Sequence, residues 1–314
     1  ALGKRHPDTL KSMKNLASNL GAMGDHQRAA RLHRLCLEGH KEVLGEKHPG
    51  TLTSMDDLAS SLDAMSDRSS AAELNRTCLL LRTEVLGERH PETLASMDSL
   101  ASNLRAMGDH QGSAELAQKS LQLRIEELGE QHPQTIASMN NAANSLRALG
   151  DRQGAADLHE RCLKLSREVL GQRHPETLTS MNNLANSLRS LGDQRGAVEL
   201  HQACLKMRME VLGERHPRTL TSMNNLANNL YAMGDEEGAV ELQRHCLQLR
   251  TEELGDRHPE TLRSMNNLAN SLRAMGDMQI AVEVHRQCLD LRIEVLGERH
   301  PETLTSMTNL AASV

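Results

Sequence analysis

The sequence predicts an all-α fold, a solenoid of stacked antiparallel helix pairs, on two observations. First, His-Pro recurs at residues 6, 48, 90, 132, 174, 216, 258 and 300, and these dipeptides hold all 8 prolines. The chain therefore restates itself every 42 residues, a period that marks stacked supersecondary units. Second, each copy carries two apolar stripes at helical spacing, and neither helix can bury its stripe alone.

The unit that starts at Pro175 justifies the elements in order. Leu178, Met181, Leu184, Ala185, Leu188 and Leu191 form the stripe of a first helix. Pro175 suits the opening turn, where its missing N–H costs nothing, and Glu176 complements the positive end of the helix dipole. Gly192 offers a left-handed stop and Asp193 a cap for the next helix. A second stripe, Ala197, Leu200, Cys204, Leu205, Met207, Val211 and Leu212, ends at Gly213. The eight His of His-Pro are expected to cap or shape the joint.

The whole chain, 1–314, reads as one solenoid domain. Its repeats run 7–48, 49–90, 91–132, 133–174, 175–216, 217–258 and 259–300, with a partial copy at 301–314. The N-terminal copies deviate most: Ser66 replaces the turn glycine, and Gly39 is expected to interrupt its second helix and lower local stability. The chain opens without Met and stops inside a helix, so a longer parent protein is expected.

Composition narrows the function classes. With 36 basic and 42 acidic residues, long-range attraction to nucleic acid or to an anionic membrane is not expected. No apolar run is long enough to span a bilayer. Tyr231 is the one aromatic residue, so Leu, Met, Val, Ala and Cys must build the core, with 16 Met filling space adaptably. Phosphate-loop, zinc-protease, calcium-loop and nucleophile-elbow motifs do not occur.

The spacing Leu184-Ala185-x-x-Leu188, Gly192-Asp193, Ala197 and Cys204-Leu205 resembles a tetratricopeptide repeat. The 42-residue length with LGERHPETL at the joint is similar to kinesin light chains, nephrocystin-3-like proteins and the sensor arrays of some NTPase immune receptors. Two features depart from the pattern. The aromatic after the turn is replaced by residues such as His26, Arg152 or Gln194, and the small residue late in the second helix is Cys in six units. The resemblance implies a right-handed superhelix whose first helices line a concave groove for a peptide or partner helix. It also implies a cytoplasmic, non-catalytic scaffold without cofactor, with cytoskeletal association open. The oligomeric state is not read from the sequence.

Helical spacing puts Thr179, Asn182, Asn186 and Arg189 on one polar stripe, with Asn183 at its edge. The neighbouring copies repeat it as Asn140, Asn144 and Arg147; Asn224, Asn225, Asn228 and Tyr231; and Asn266, Asn270 and Arg273. Asn can hold the backbone of an extended peptide and Arg can grip carboxylates. The stripe reads either as a ligand-facing ladder or as ordinary solvated surface. Asp56, Asp57, Asp63 and Asp98 replace Asn or Arg in the second and third copies, so a ligand basic at one end and acidic at the other is expected. Kinesin-light-chain grooves favour acidic peptides with an aromatic, which the Arg-Asn half would suit. A carboxylate clamp fits less well: Lys11 and Lys14 are its only lysines, and Ser18 and Asp57 stand where Asn is needed.

Cys36, Cys78, Cys162, Cys204, Cys246 and Cys288 share one repeat position, with Ser120 in the remaining copy. Equivalent positions in neighbouring units lie at least a helix-packing distance of about 8–10 Å apart, beyond the ~7 Å Cα limit of a disulfide. Small buried residues in a reducing compartment are therefore expected. His33, His159, His201 and His285 each precede such a Cys by three residues, but the series is broken at Asn75, Ala117 and Gln243. Zinc needs four ligands and a Cys-His nucleophile needs an orienting group, so neither metal nor catalysis is expected. The leading expectation is a kinesin-light-chain-like adaptor. The alternative is the ligand-sensing array of a larger regulatory NTPase of the NB-ARC/STAND type.

Overall fold

The computed structural model describes Gly3 and residues 5–313, and all regular structure among them is helical. Backbone contacts group the chain into two compact units, Ala1–Leu165 and Ser166–Val314. The first holds α1 (Pro7–Ala22), α2 (His26–Leu44), α3 (Pro49–Ala64), α4 (Arg68–Leu86), α5 (Pro91–Ala106), α6 (His110–Leu128) and α7 (Pro133–Leu149). The unit boundary falls within α8 (Arg152–Val169). The second unit continues with α9 (Pro175–Leu191), α10 (Gln194–Leu212), α11 (Pro217–Ala232), α12 (Glu236–Leu254), α13 (Pro259–Met275), α14 (Met278–Leu296) and α15 (Pro301–Ala311).

Each first helix starts at a proline, and the histidine before it is the cap. His174 Nδ1 accepts the Glu176 N–H at 3.2 Å, and the same bond recurs at all eight His-Pro pairs. One residue further, Thr177 Oγ1 donates to the Gly171 carbonyl at 2.8 Å and ties the helix start to the preceding helix end. The turn within a pair follows its glycine: Gly192 ends α9 at φ 93°, and Asp193 caps α10 by accepting the Gly196 N–H at 2.9 Å. Ser66 adopts the same left-handed region, at φ 64°, at a cost of about 1–2 kcal/mol for an L side chain.

Within each unit a first helix lies against the second helix of its own pair and against that of the pair before. Two faces of it are therefore covered. The Leu-Met face fills the core, as with Leu52, Met55, Leu58 and Ala59 against Cys78 in the first unit. Leu220, Met223 and Leu226 do the same against Cys246 in the second. The other face buries small polar residues, among them Thr177, Ser180 and Ser187.

Two readings of the stripes are corrected. Leu191 and Val211, at the C-terminal ends of α9 and α10, stay 39% exposed. The buried face of α10 is instead Ala197, Val198, His201, Cys204, Leu205 and Arg208, so two polar residues complete its helical spacing. Gly39 does not interrupt α2, which runs unbroken from His26 to Leu44. A Cβ at Gly39 would meet Leu10 Cδ2 at 2.7 Å, so the glycine makes room for a core leucine that enters from α1.

Candidate protein-binding face

The polar stripe of the first helices divides into a buried row and an exposed row. Asn140, Asn182 and Asn224 are buried, and Asn266 is half-buried. Asn144, Arg147, Asn183, Asn186, Asn225 and Asn270 are half-buried, whereas Arg189, Asn228, Tyr231 and Arg273 are exposed. The buried row departs from a uniformly solvated stripe, and the reason is the neighbouring pair that leans against it. Asn225 donates its side-chain amide to Asn182 Oδ1 at 2.8 Å, and Asn309 donates to Asn266 Oδ1 at 2.7 Å. In the first unit the same 43-residue step joins Lys14 to Asp57 at 2.7 Å. Lys14 is thereby engaged inside the array.

The acidic residues of the second and third copies are largely neutralised where they stand. Asp56 pairs with Arg82 and Asp98 with Arg124, each at 2.6 Å, and Asp57 takes Lys14. Asp63 makes no ion pair among the described residues; its Oδ1 accepts from Asn103 at 3.2 Å. It borders a polar cleft of about 170 Å³ whose other lining residues include Ser60, Ser99, Ser102 and the buried amides of Asn75 and Asn103. The expected acidic end of the groove contracts to Asp63, which among the described residues carries a hydrogen bond but no ion pair.

Sequence reasoning missed a column of buried arginines on the second helices. Arg82, Arg124, Arg208, Arg250 and Arg292 recur at one repeat position, and none is more than 5% exposed. Each reaches a serine hydroxyl on the next first helix, as Arg250 Nη1 donates to Ser264 Oγ at 2.6 Å. Their spacing from the Cys column was visible in the sequence, but a charged side chain does not register in an apolar pattern.

The histidines at the third position before cysteine are buried as well. Burial, aided by Arg147, presses the pKa of His159 down to about 4; burial, aided by Arg189 and Arg208, does the same to His201. This position binds the next first helix in other copies: His33 meets Ser61 Oγ at 2.9 Å, and Asn75 donates to Asn103 Oδ1 at 2.5 Å. His201 faces the equivalent place at Asn229, yet no side-chain nitrogen or oxygen of either residue is hydrogen-bonded.

The thiols act as donors. Cys204 Sγ lies 3.1 Å from the Leu178 carbonyl, Cys162 Sγ 3.3 Å from Ile136 O and Cys36 Sγ 3.5 Å from Leu10 O. Ser120 Oγ makes the same contact with Leu94 O at 3.3 Å, so the site selects a small buried donor rather than a small apolar group. Burial, with Asp56 beside it, pushes Cys78 up to about 12, and burial raises Cys204, Cys246 and Cys288 too. Thiols in this state are poor nucleophiles and poor metal ligands at neutral pH. None of the six forms a disulfide, and all are buried. Among the described residues no group of three or more His, Cys, Asp or Glu is placed to hold a metal ion. No helix among them is long and apolar enough to cross a membrane.

The chain is similar to several solved helical-repeat structures, and no curated protein matches it. A Podosopora anserina chain named as a kinesin light chain, with nearly identical TPR-like repeats, is 29% identical over 66% of this chain and 98% of its own, at a TM-score of 0.57. BtubC (BKLC) from P. vanneervenii is 23% identical over 76% of this chain and 92% of its own, also at 0.57, a likeness of fold alone. So is that to a signal-transduction ATPase with numerous domains and a tetratricopeptide repeat sensor from Pyrococcus horikoshii. It is 12% identical over 97% of this chain and 44% of its own, with a TM-score of 0.61. The tetratricopeptide repeat model matches residues 8–79, 99–168, 139–210, 195–252, 219–292 and 260–313. With helix pairs, turn glycines and buried Ala/Cys positions all falling on that repeat, the protein belongs to the tetratricopeptide repeat family, whose arrays are generally protein–protein interaction scaffolds.

Proposed function

We propose that the chain is a non-catalytic adaptor that holds a peptide or a partner helix along its first helices, as a kinesin-light-chain-like cargo module. One observation carries the reading. Asn186, Arg189, Asn228, Tyr231, Asn270 and Arg273 recur at two repeat positions of α9, α11 and α13, half-buried or exposed. Among the described residues their side chains make no hydrogen bond or ion pair. Amides held in a row with free donors and acceptors suit an extended backbone, Arg suits a carboxylate, and Tyr231 offers an aromatic contact. Asn144 and Arg147 are the matching candidates in the first unit. The buried members, Asn140, Asn182 and Asn224, would support the face from behind, with Asn183, Asn225 and Asn266 between the two rows. An acidic peptide segment with an aromatic is the ligand class this face fits.

The test is a peptide-library screen on the parent chain, followed by the triple variant Asn186→Ala/Arg189→Ala/Asn228→Ala. At least a tenfold loss of affinity with an unchanged helical spectrum is expected, about 1.4 kcal/mol or more. Equal binding by parent and variant would remove these residues from the contact. The 29% identity of the kinesin-light-chain-named structure favours the adaptor over the sensor of an NTPase, since the ATPase likeness is one of fold. Heptads in any sequence that flanks these residues would agree with the adaptor, and a phosphate loop there would favour the NTPase.

A further inference from the structure

Among the described residues, the buried arginine column contains one member with no carboxylate in direct contact, Arg208, on which Glu176 acts only from a distance. Arg82 has Asp56 at 2.6 Å and Glu92 at 3.5 Å, and Arg124 has Asp98 at 2.6 Å. Arg250 has Glu260 at 3.1 Å and Arg292 has Glu302 at 3.4 Å. Arg208 is as buried as these, at 4% exposed, but among the described residues it has no carboxylate within ion-pair distance. Both places that supply one elsewhere are changed. Asn182 stands where Asp56 and Asp98 stand in their copies, and Arg218 stands where Glu260 and Glu302 stand in theirs. Among the described residues Arg208 Nη1 donates to two neutral groups, the Arg218 carbonyl at 2.9 Å and Ser222 Oγ at 2.7 Å. Nearby, Glu176 is drawn to the Arg218 side chain, at 3.4 Å.

We propose that Arg208 and Arg218 form a binding site for an oxyanion, a phosphate or a carboxylate group, at the place a glutamate carboxylate occupies in the two following repeats. A buried guanidinium without an anion keeps its desolvation cost and gains no Coulomb attraction. Burial lowers the pKa of Arg208 and Arg218 acts in the same direction, against opposing contributions from Cys204 and Glu176 that do not cancel the burial. In the two following repeats the equivalent place is reached from solvent: the carboxylates beside Arg250 and Arg292 belong to Glu260 and Glu302, whose side chains are 37% and 50% exposed. Arg218 itself is 48% exposed, so its guanidinium can turn to meet an anion from above while Arg208 meets it from below. A tetrahedral or planar oxyanion matches two guanidinium forks better than a spherical ion does.

The experiment titrates the whole chain with inorganic phosphate at constant ionic strength, followed by 31P line broadening and by melting temperature. Arg218→Glu is the paired variant, because it restores the Arg250–Glu260 arrangement. The expected result is saturable phosphate binding to the parent with a rise in melting temperature. Arg218→Glu should melt higher without phosphate and lose the phosphate-specific rise. A second arm uses a C-terminally amidated peptide with one glutamate, compared with its glutamine form. Stabilisation by the glutamate peptide alone assigns the site to a ligand's side chain, and stabilisation by phosphate assigns it to a free ion. Equal phosphate increments in parent and variant overturn the proposal. So does the absence of saturable binding of both probes to the parent, a readout that stands even if the variant does not fold. The groove reading is tested separately, since Asn186, Arg189 and Asn228 take no part in this site.

Discussion

Asn225 donates its side-chain amide to Asn182 Oδ1 across 2.8 Å, and this bond between consecutive first helices shows that the asparagine stripe holds the array together before it offers anything to a ligand. The acceptor is only 9% exposed, so the bond is shielded from competing water. Asn182→Ala removes the acceptor and leaves the Asn225 amide short of a partner in a half-buried place. Such a loss costs about 1–3 kcal/mol. Asn182→Ala/Asn225→Ala is expected to recover part of it, and a double-mutant cycle in urea measures the coupling. Additive losses would show that the two amides stand independently.

The carboxylate beside Arg124 should matter far more than the arginines on the open face. Arg124 is 5% exposed, and among the described residues Asp98 is its one ion-pair partner. Asp98→Ala strands a buried cation and is expected to destabilise by roughly 3–5 kcal/mol. Arg189→Ala, on the exposed row, should stay within about 0.5 kcal/mol. Urea midpoints of the two variants decide the order.

The chain should lose stability on acidification through its buried histidines. His159 and His201 have folded pKa values of about 4 against 6.5 for the free side chain. Between these values the unfolded chain binds more protons, so stability falls as pH drops from about 6.5 to 4 and levels off below. The fall is roughly 3 kcal/mol for each histidine. His201→Asn should flatten the slope. Placed opposite Asn229, it recreates the Asn75–Asn103 pair and should be at least as stable at pH 7. An unchanged slope in this variant would assign the acid sensitivity to other groups.

The shared contact of Cys204 and Ser120 with a helix carbonyl makes a chemical prediction. Cys204→Ser keeps the donor and is expected to change stability by about 1 kcal/mol or less. Cys204→Leu overfills a site with no exposed surface and should cost about 1–3 kcal/mol. All six thiols should react with a thiol reagent only as the chain opens. Burst labelling of the native protein would contradict their role as buried donors.

The sequence alone determined the local and periodic parts of this protein. The His-Pro joint, the turn at Gly192, the cap at Asp193 and the Leu-Met stripe of α9 each follow from short-range chemistry. Each was legible because a helix start, a left-handed turn or an apolar period leaves its mark within a few residues. The candidate face was half legible: spacing put Asn182 and Asn186 on one stripe but could not separate the buried amide from the half-buried one. That separation depends on which neighbouring pair leans on the stripe.

Only the tertiary structure decided what crosses between helices. It turned Lys14 and Asp57 from ligand-facing charges into partners, made Gly39 a socket for Leu10, and sank Arg208 into the stack with no carboxylate in direct contact among the described residues. The physical reason is common to all three. A side chain's charge and size are written at its own position, but its desolvation and its partner are set by a residue tens of positions away.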